Sequence, residues 1–121
     1  SLRLALDHQR VIRGPRGIEA LLVEIDRGTE RPSYLARKYE GYLAWWRDGG
    51  PARRFDVPAM RLVTVTPDDA RLRLLRETCS HVTRRRAPGL FWFASEKALV
   101  AHGLLAPIWS TPRLPREKLW P

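Results

Sequence analysis

Two carboxylates, Glu24 and Asp26, end an apolar run in a chain that is otherwise strongly basic. The run LLV at positions 21–23 is typical of a buried strand, and the period-two alternation of a strand places Glu24 and Asp26 on one face. Like charges in such a place are destabilising unless a positive charge lies between them. The pair therefore predicts a cation at this strand end. The alternative for Asp26 is an ordinary turn residue before Arg27-Gly28.

A third acid, Asp7, is predicted to face this pair across a hairpin. The segment GPRG at positions 14–17 is nearly symmetric. A turn centred between Pro15 and Arg16 pairs positions whose numbers add up to 31, so Asp7 lies opposite Glu24, with their Cβ atoms about 5 Å apart. A slip of one residue would turn Asp7 to the other face of the sheet.

The acids Asp7, Glu24 and Asp26 are predicted to bind a divalent metal, because ligand sets made only of oxygen favour Mg²⁺ or Mn²⁺. Lys38 is the candidate for a protein cation, since it is the only lysine among the first 96 residues and follows Asp26 by about a dozen positions. The alternative is that Lys38 is an ordinary exposed charge on a helix.

The elements that position these residues alternate in the predicted order ββαβαβα. Strands are predicted over residues 2–12, 18–26, 60–66 and 90–94, and helices over 32–47, 67–79 and 96–101. The helix caps are predicted to be Thr29, Thr66 and Ser95, and residues 51–58 are predicted to form a loop. This order indicates an α/β fold with a mixed sheet of four to five strands flanked by helices. Residues 1–109 form one predicted domain, followed by an irregular C-terminal tail over 110–121.

The composition favours a partner rich in phosphate. Lys and Arg number 22 against 13 Asp and Glu, a formal charge of +9, and most of the positive charge is arginine. Guanidinium groups bind phosphate oxygens in pairs, so DNA is the expected partner. The candidate phosphate contacts are five arginines in predicted loops: Arg53, Arg54, Arg84, Arg85 and Arg86. The alternatives are that these charges are merely solvated or that the arginine content reflects a GC-rich genome.

Other features of the sequence bound the location of the protein. No apolar run is long enough to span a bilayer, and residues 1–7 do not resemble a secretory signal, so no membrane partner is expected. A single cysteine, Cys79, cannot form an internal disulfide. These features predict a cytoplasmic protein. Because the chain begins within a predicted strand, we expect it to be a fragment of a longer protein.

The motif EIDRGTE followed by LARKYEGYLAWW is similar to the core of the replication-relaxation family of bacterial and plasmid proteins. The segments LVTVTPDDARLRLLRE, LFWFAS and APIW follow in the order of that family, so the resemblance runs from about Asp7 to Trp109. The pattern of an acid, an acidic strand end and a helix lysine also resembles the PD-(D/E)XK nucleases. These resemblances imply a restriction-endonuclease-like fold, a function in plasmid replication or mobilisation, and an upstream winged-helix part.

The nuclease resemblance implies that Asp7 and Glu24 bind a metal and that the domain hydrolyses a DNA phosphodiester. The sequence departs from the pattern at Leu6, where the motif has proline, and at Asp26, where it has lysine. Lys38 would replace that lysine if its side chain reaches the strand end. Asp26 would then be a further ligand or would orient the attacking water.

Two other functions are compatible with the sequence. One is a non-catalytic module with a degenerate nuclease-like fold, which binds DNA or a relaxation or mobilisation protein. The other is an assembly domain that pairs through the aromatic helix around Trp45 and Trp46. The sequence does not determine the oligomeric state.

Overall fold

The structure is a computed structural model that describes residues 8–14, 17–56, 59–84, 86, 89–113 and 118–119. Its strands are β1 (His8–Gly14), β2 (Gly17–Ile25), β3 (Ala59–Thr66) and β4 (Phe91–Ser95). Its helices are α1 (Pro32–Arg47), α2 (Gly50–Phe55), α3 (Asp69–Thr83) and α4 (Glu96–His102). The predicted mixed α/β class is confirmed. None of the described helices is long and apolar enough to cross a bilayer.

The sheet has the strand order β1-β2-β3-β4, in which β1 is antiparallel to β2 and the other three strands are parallel. The hairpin register runs from His8 opposite Val23 to Gly14 opposite Gly17, so paired numbers add up to 31 as predicted. Asp7 itself lies outside the described residues. We call the edge where the three parallel strands end the carboxyl edge, and the edge where they begin the amino edge.

Helices α1 and α3 cover one face of the sheet. Alternate residues of the strands point to this face, and they pack with the helices into the larger of two apolar clusters. Tyr39 of α1 makes edge-to-face contacts with Phe91 and Phe93 of β4. Tyr39 and Tyr42 of α1 therefore belong to the core, whereas Tyr34 and Trp46 of the same helix are 49% and 38% exposed.

The opposite face is covered by the C-terminal part of the chain. Trp109 and Leu119 are buried against Val63 and Val65 of β3. Ser110 exchanges two backbone hydrogen bonds with Phe93, at the open side of β4. The described part of the predicted tail over 110–121 is irregular, as expected, but it contributes to the core instead of only wrapping the surface.

A short helix, α2, replaces the loop predicted over residues 51–58. The chain turns tightly into this helix, and a Cβ atom at Gly50 would collide with the indole of Trp45. Pro51 is compatible with the first turn of a helix because its missing N–H group has no helical partner there. In the sequence, Gly50-Pro51 is typical of the end of a helix. In the structure the same pair also begins the next helix, α2.

The predicted caps were right in one case of three. Ser95 caps α4, its hydroxyl oxygen accepting a hydrogen bond from the N–H of Ala98 at 3.1 Å. Thr29 was wrong, because Arg31 occupies the cap position of α1. Thr66 was also wrong: Asp68 caps α3 by accepting from the N–H of Arg71 at 2.8 Å, and Thr66 is the last residue of β3.

Candidate functional site

Glu24 and Asp26 lie at the carboxyl edge, beneath α1 and α3. Both are buried, with exposed fractions of 5% and 4%. Their neighbour Ile25 points to the opposite face and is 41% exposed, so the predicted alternation is confirmed. Two carboxylates this deeply buried require compensation by hydrogen bonds or positive charges. The described residues supply that compensation separately for each acid.

Lys38 compensates Glu24. Its ammonium group forms an ion pair with Oε1 of Glu24, and the two side chains are only 15% and 7% exposed. The hydroxyl of Tyr42, one helical turn further along α1, lies 3.5 Å from Oε2 of Glu24. The structure therefore brings the predicted helix lysine back to the strand end, which was the condition for its replacing the lysine of the nuclease pattern.

Glu30 shares Lys38 with Glu24. Its Oε1 atom accepts a hydrogen bond from the ammonium group of Lys38 at 3.0 Å, and its side chain is 30% exposed. Burial, followed by the charge of Asp26, raises the pKa of Glu30, while Arg71 opposes the rise. The ion pair with Lys38 also acts against the rise. Sequence reasoning gave Glu30 no role, although it is the third acid of the same motif.

Arg71 compensates Asp26. Its Nε and Nη2 atoms donate to Oδ2 and Oδ1 of Asp26 at 3.0 and 3.1 Å, a bidentate pair between α3 and the end of β2. The hydroxyl of Thr66 donates to Oδ2 at 2.7 Å. The N–H of Gly28 also bonds to Asp26, and Gly28 has a φ of +78°, which few other residues adopt.

These contacts determine the charge state of Asp26. Burial alone would raise its pKa, but the hydrogen bonds from Arg71, Thr66 and Gly28 and the charge of Arg71 outweigh burial, so its pKa lies below the ordinary value. The pKa of Arg71 is raised, chiefly by its hydrogen bonds to Asp26. Asp26 is thus a fixed anion whose two oxygens are both bound. The sequence did not identify Arg71, because nothing local in it indicates which of many arginines would face Asp26.

The donor atoms at this edge fit a divalent metal only in part. Both oxygens of Asp26 accept from protein donors, so Asp26 is poorly suited to the predicted role of ligand. Glu24 and Glu30 share Lys38, and Glu24 also accepts from the hydroxyl of Tyr42. A carboxylate has about four lone-pair sites, so these contacts do not use the full capacity of either group. Within the part of the chain that the structure describes, no three His, Cys, Asp or Glu residues are grouped to hold a metal ion. A metal site here depends on Asp7, which is not among the described residues.

Four of the five predicted DNA-binding arginines are described by the structure, and they lie at the amino edge, away from the acids. Arg53 and Arg54 are exposed on α2, directly before β3, and Arg84 and Arg86 are exposed between α3 and β4. Arg85 lies outside the described residues. Glu24 pairs with Thr64, five residues after the start of β3, which places the two edges about 17 Å apart. The four described arginines therefore do not lie beside the acidic strand ends.

Arg86 and Arg53 make intramolecular hydrogen bonds that account for their positions. Arg86 donates to the carbonyl oxygens of Thr83 and Val82 at 3.0 and 3.2 Å, and so binds free carbonyls at the end of α3. Arg53 donates to the carbonyl oxygen of Asp48. The exposed arginines near the acids are instead Arg27 and Arg31, in the connection between β2 and α1.

Compared with models of known protein families, with curated proteins and with solved structures, the chain matches none.

Proposed function

We propose that the domain acts on DNA and hydrolyses a phosphodiester at the carboxyl edge with the help of a divalent metal ion. The observation that carries the proposal is the ion pair between Lys38 and Glu24, buried at the end of β2. A carboxylate and a lysine side by side at a strand end are what metal-assisted phosphate hydrolysis requires: one group to hold the metal and one to stabilise negative charge.

The proposed roles follow from the contacts of each residue. Glu24, with Asp7 opposite it as the hairpin register predicts, would hold Mg²⁺ or Mn²⁺, which polarises a phosphate and lowers the pKa of a bound water. Lys38, 15% exposed, would stabilise the charge that develops on the phosphate oxygens. Glu30, which binds Lys38 together with Glu24, would hold the ammonium group of Lys38 in position.

Asp26 is proposed to position the site instead of binding metal. Its pair with Arg71 fixes α3 to the end of β2, and its bond from Thr66 fixes the end of β3. The exposed Arg27 and Arg31 would contact the phosphates that flank the scissile bond.

The family assignment belongs to the same proposal. A hairpin followed by helix-connected parallel strands is compatible with a restriction-endonuclease-like core, with the acids on β2. Together with the sequence motifs, this supports a replication-relaxation protein that acts in plasmid replication or mobilisation, with relaxation or mobilisation proteins as partners.

A second candidate function is a non-catalytic DNA- or partner-binding module with a degenerate nuclease-like fold. One observation favours it: each described acid at the carboxyl edge already has a cation within the protein, Lys38 for Glu24 and Arg71 for Asp26. In this case the acids would only connect the sheet to its helices.

Supercoiled plasmid incubated with Mn²⁺ distinguishes the two functions. The catalytic proposal predicts nicking by the wild-type chain and its loss in Glu24→Gln, which keeps a polar side chain but removes the charge. Glu40→Gln, which removes an exposed carboxylate from α1, is the matched control and should nick normally. Circular dichroism would verify that Glu24→Gln is folded. If the wild-type chain binds DNA but does not nick it in Mn²⁺, the non-catalytic module is favoured.

A further inference from the structure

The outer surface of α3 forms an open groove against the C-terminal segment. The groove has a volume of about 440 Å³ and is lined by Arg73, Arg76, Glu77, Ser80, His81 and Pro112. Arg76 connects α3 to the C-terminal segment, because its Nε donates to the carbonyl oxygen of Thr111 at 2.7 Å. These six lining residues include no member of the acidic site and none of the five arginines predicted to bind DNA.

The groove lies on the side of α3 that faces away from the sheet. Leu75, Cys79 and Val82 form the buried side of the helix, and the helical period places Arg73 and Ser80 on the opposite side. Arg84, one turn after Ser80, extends the same side beyond the helix end. Arg73 and Arg84 are therefore exposed on this side of α3, with Glu77 and Ser80 between them.

We infer that this groove binds the phosphate backbone of duplex DNA, an inference that rests on the proposed function for the identity of the nucleic acid. Arg73 is exposed and supplies a guanidinium group for a phosphate, and Ser80 supplies a hydroxyl donor. Glu77, the one carboxylate among the described lining residues, opposes an anion and limits the affinity.

Double-stranded DNA fits the groove better than single-stranded nucleic acid. Proteins that hold single strands stack successive bases on aromatic side chains. Among the described residues that line the groove there is no Trp, Tyr or Phe, and the one aromatic ring is the imidazole of His81. Guanidinium and hydroxyl groups are suited to a continuous phosphate backbone, which is contacted through charge and position.

Helix α3, which lines the groove from Arg73 to His81, begins at the carboxyl edge beside Asp26 and ends at the amino edge. Its 15 residues span about 22 Å. This length corresponds to six or seven base-pair steps of about 3.4 Å. A duplex along α3 would thus extend from Arg84 toward the carboxyl edge.

Binding of a fluorescent 20-base-pair duplex of arbitrary sequence, measured by anisotropy in EDTA over a salt series, tests the inference. Arg73→Gln should weaken binding about fivefold and reduce the steepness of the salt dependence by about one phosphate contact. Glu77→Gln, which removes the opposing charge, should tighten binding about threefold. Arg37→Gln, which removes an exposed arginine of α1 outside the groove, is the matched control and should change the affinity less than twofold.

The inference is overturned if Arg73→Gln binds like the wild type, or if Arg37→Gln weakens binding as much, because binding would then follow net charge alone. Tighter binding of a single strand or of an RNA duplex than of the DNA duplex also overturns it. Because EDTA removes metal, these outcomes are independent of catalysis. If Arg73→Gln weakens DNA binding but the wild-type chain does not nick plasmid, only the proposed hydrolysis is contradicted. If the wild-type chain nicks plasmid but Arg73→Gln binds DNA normally, only this inference is contradicted.

Discussion

Lys38 on α1 and Glu24 at the end of β2 form an ion pair in which both side chains are more than four-fifths buried. The pair spans the first βα connection, so a charge on the helix compensates a charge on the strand. A buried pair of this kind contributes little net stability, but removal of one partner leaves an uncompensated charge.

Lys38→Met should therefore destabilise the fold by about 3 kcal/mol, because the buried carboxylate of Glu24 would lose its ion-pair partner. The double variant Glu24→Gln/Lys38→Met should recover at least about 1 kcal/mol of that loss. Urea unfolding followed by circular dichroism measures both. If the double variant loses as much unfolding free energy as the two single variants together, the two residues do not interact and the ion pair is contradicted.

The stability contribution of Asp26 should depend on pH. Because the folded-state pKa of Asp26 lies below its ordinary value of 3.8, its contribution is fully present above about pH 5 and is lost as the pH falls below 3.8 toward the folded-state value. Asp26→Asn should be less stable than the wild type at pH 7, and the difference should narrow below pH 3.8. Thermal unfolding across pH 2.5 to 7 measures it, and a difference that widens in acid would contradict the Arg71 pair.

The C-terminal segment should contribute to stability through Leu119, which is 1% exposed in the second apolar cluster. Leu119→Ala should cost about 3 kcal/mol, the usual range for a large-to-small change in a core. Leu105→Ala makes the same change at a residue that is 69% exposed and should cost less than about 0.5 kcal/mol. Equal effects in denaturant titrations would mean that the segment does not pack against the sheet.

Local patterns predicted the elements that position the site. The symmetry of GPRG predicted the hairpin register, and period-two alternation predicted that Glu24 and Asp26 share a buried face. Lys38 was predicted because few lysines were available and because a helix after a strand folds back over the sheet. Each of these inferences needed only neighbouring residues.

Contacts between distant parts of the chain were not predicted. Arg71 is 45 residues from Asp26 in the sequence, and any of the 22 lysines and arginines could have been the partner of Asp26. Thr66 resembled a helix cap, but its hydroxyl donates to Asp26. The loop arginines were chosen for their charge alone, and the four that the structure describes precede parallel strands, at the edge opposite the acids.

The central claim is that Glu24 and Lys38 act together on a DNA phosphodiester. The most direct measurement is the single-turnover rate of plasmid nicking in Mn²⁺ by Lys38→Met, with enough protein to saturate the plasmid and at a temperature where the variant is folded. The account predicts a rate lower by a factor of about 100 or more, with affinity for the plasmid within twofold of the wild type. A Lys38→Met variant that nicks at the wild-type rate would contradict it.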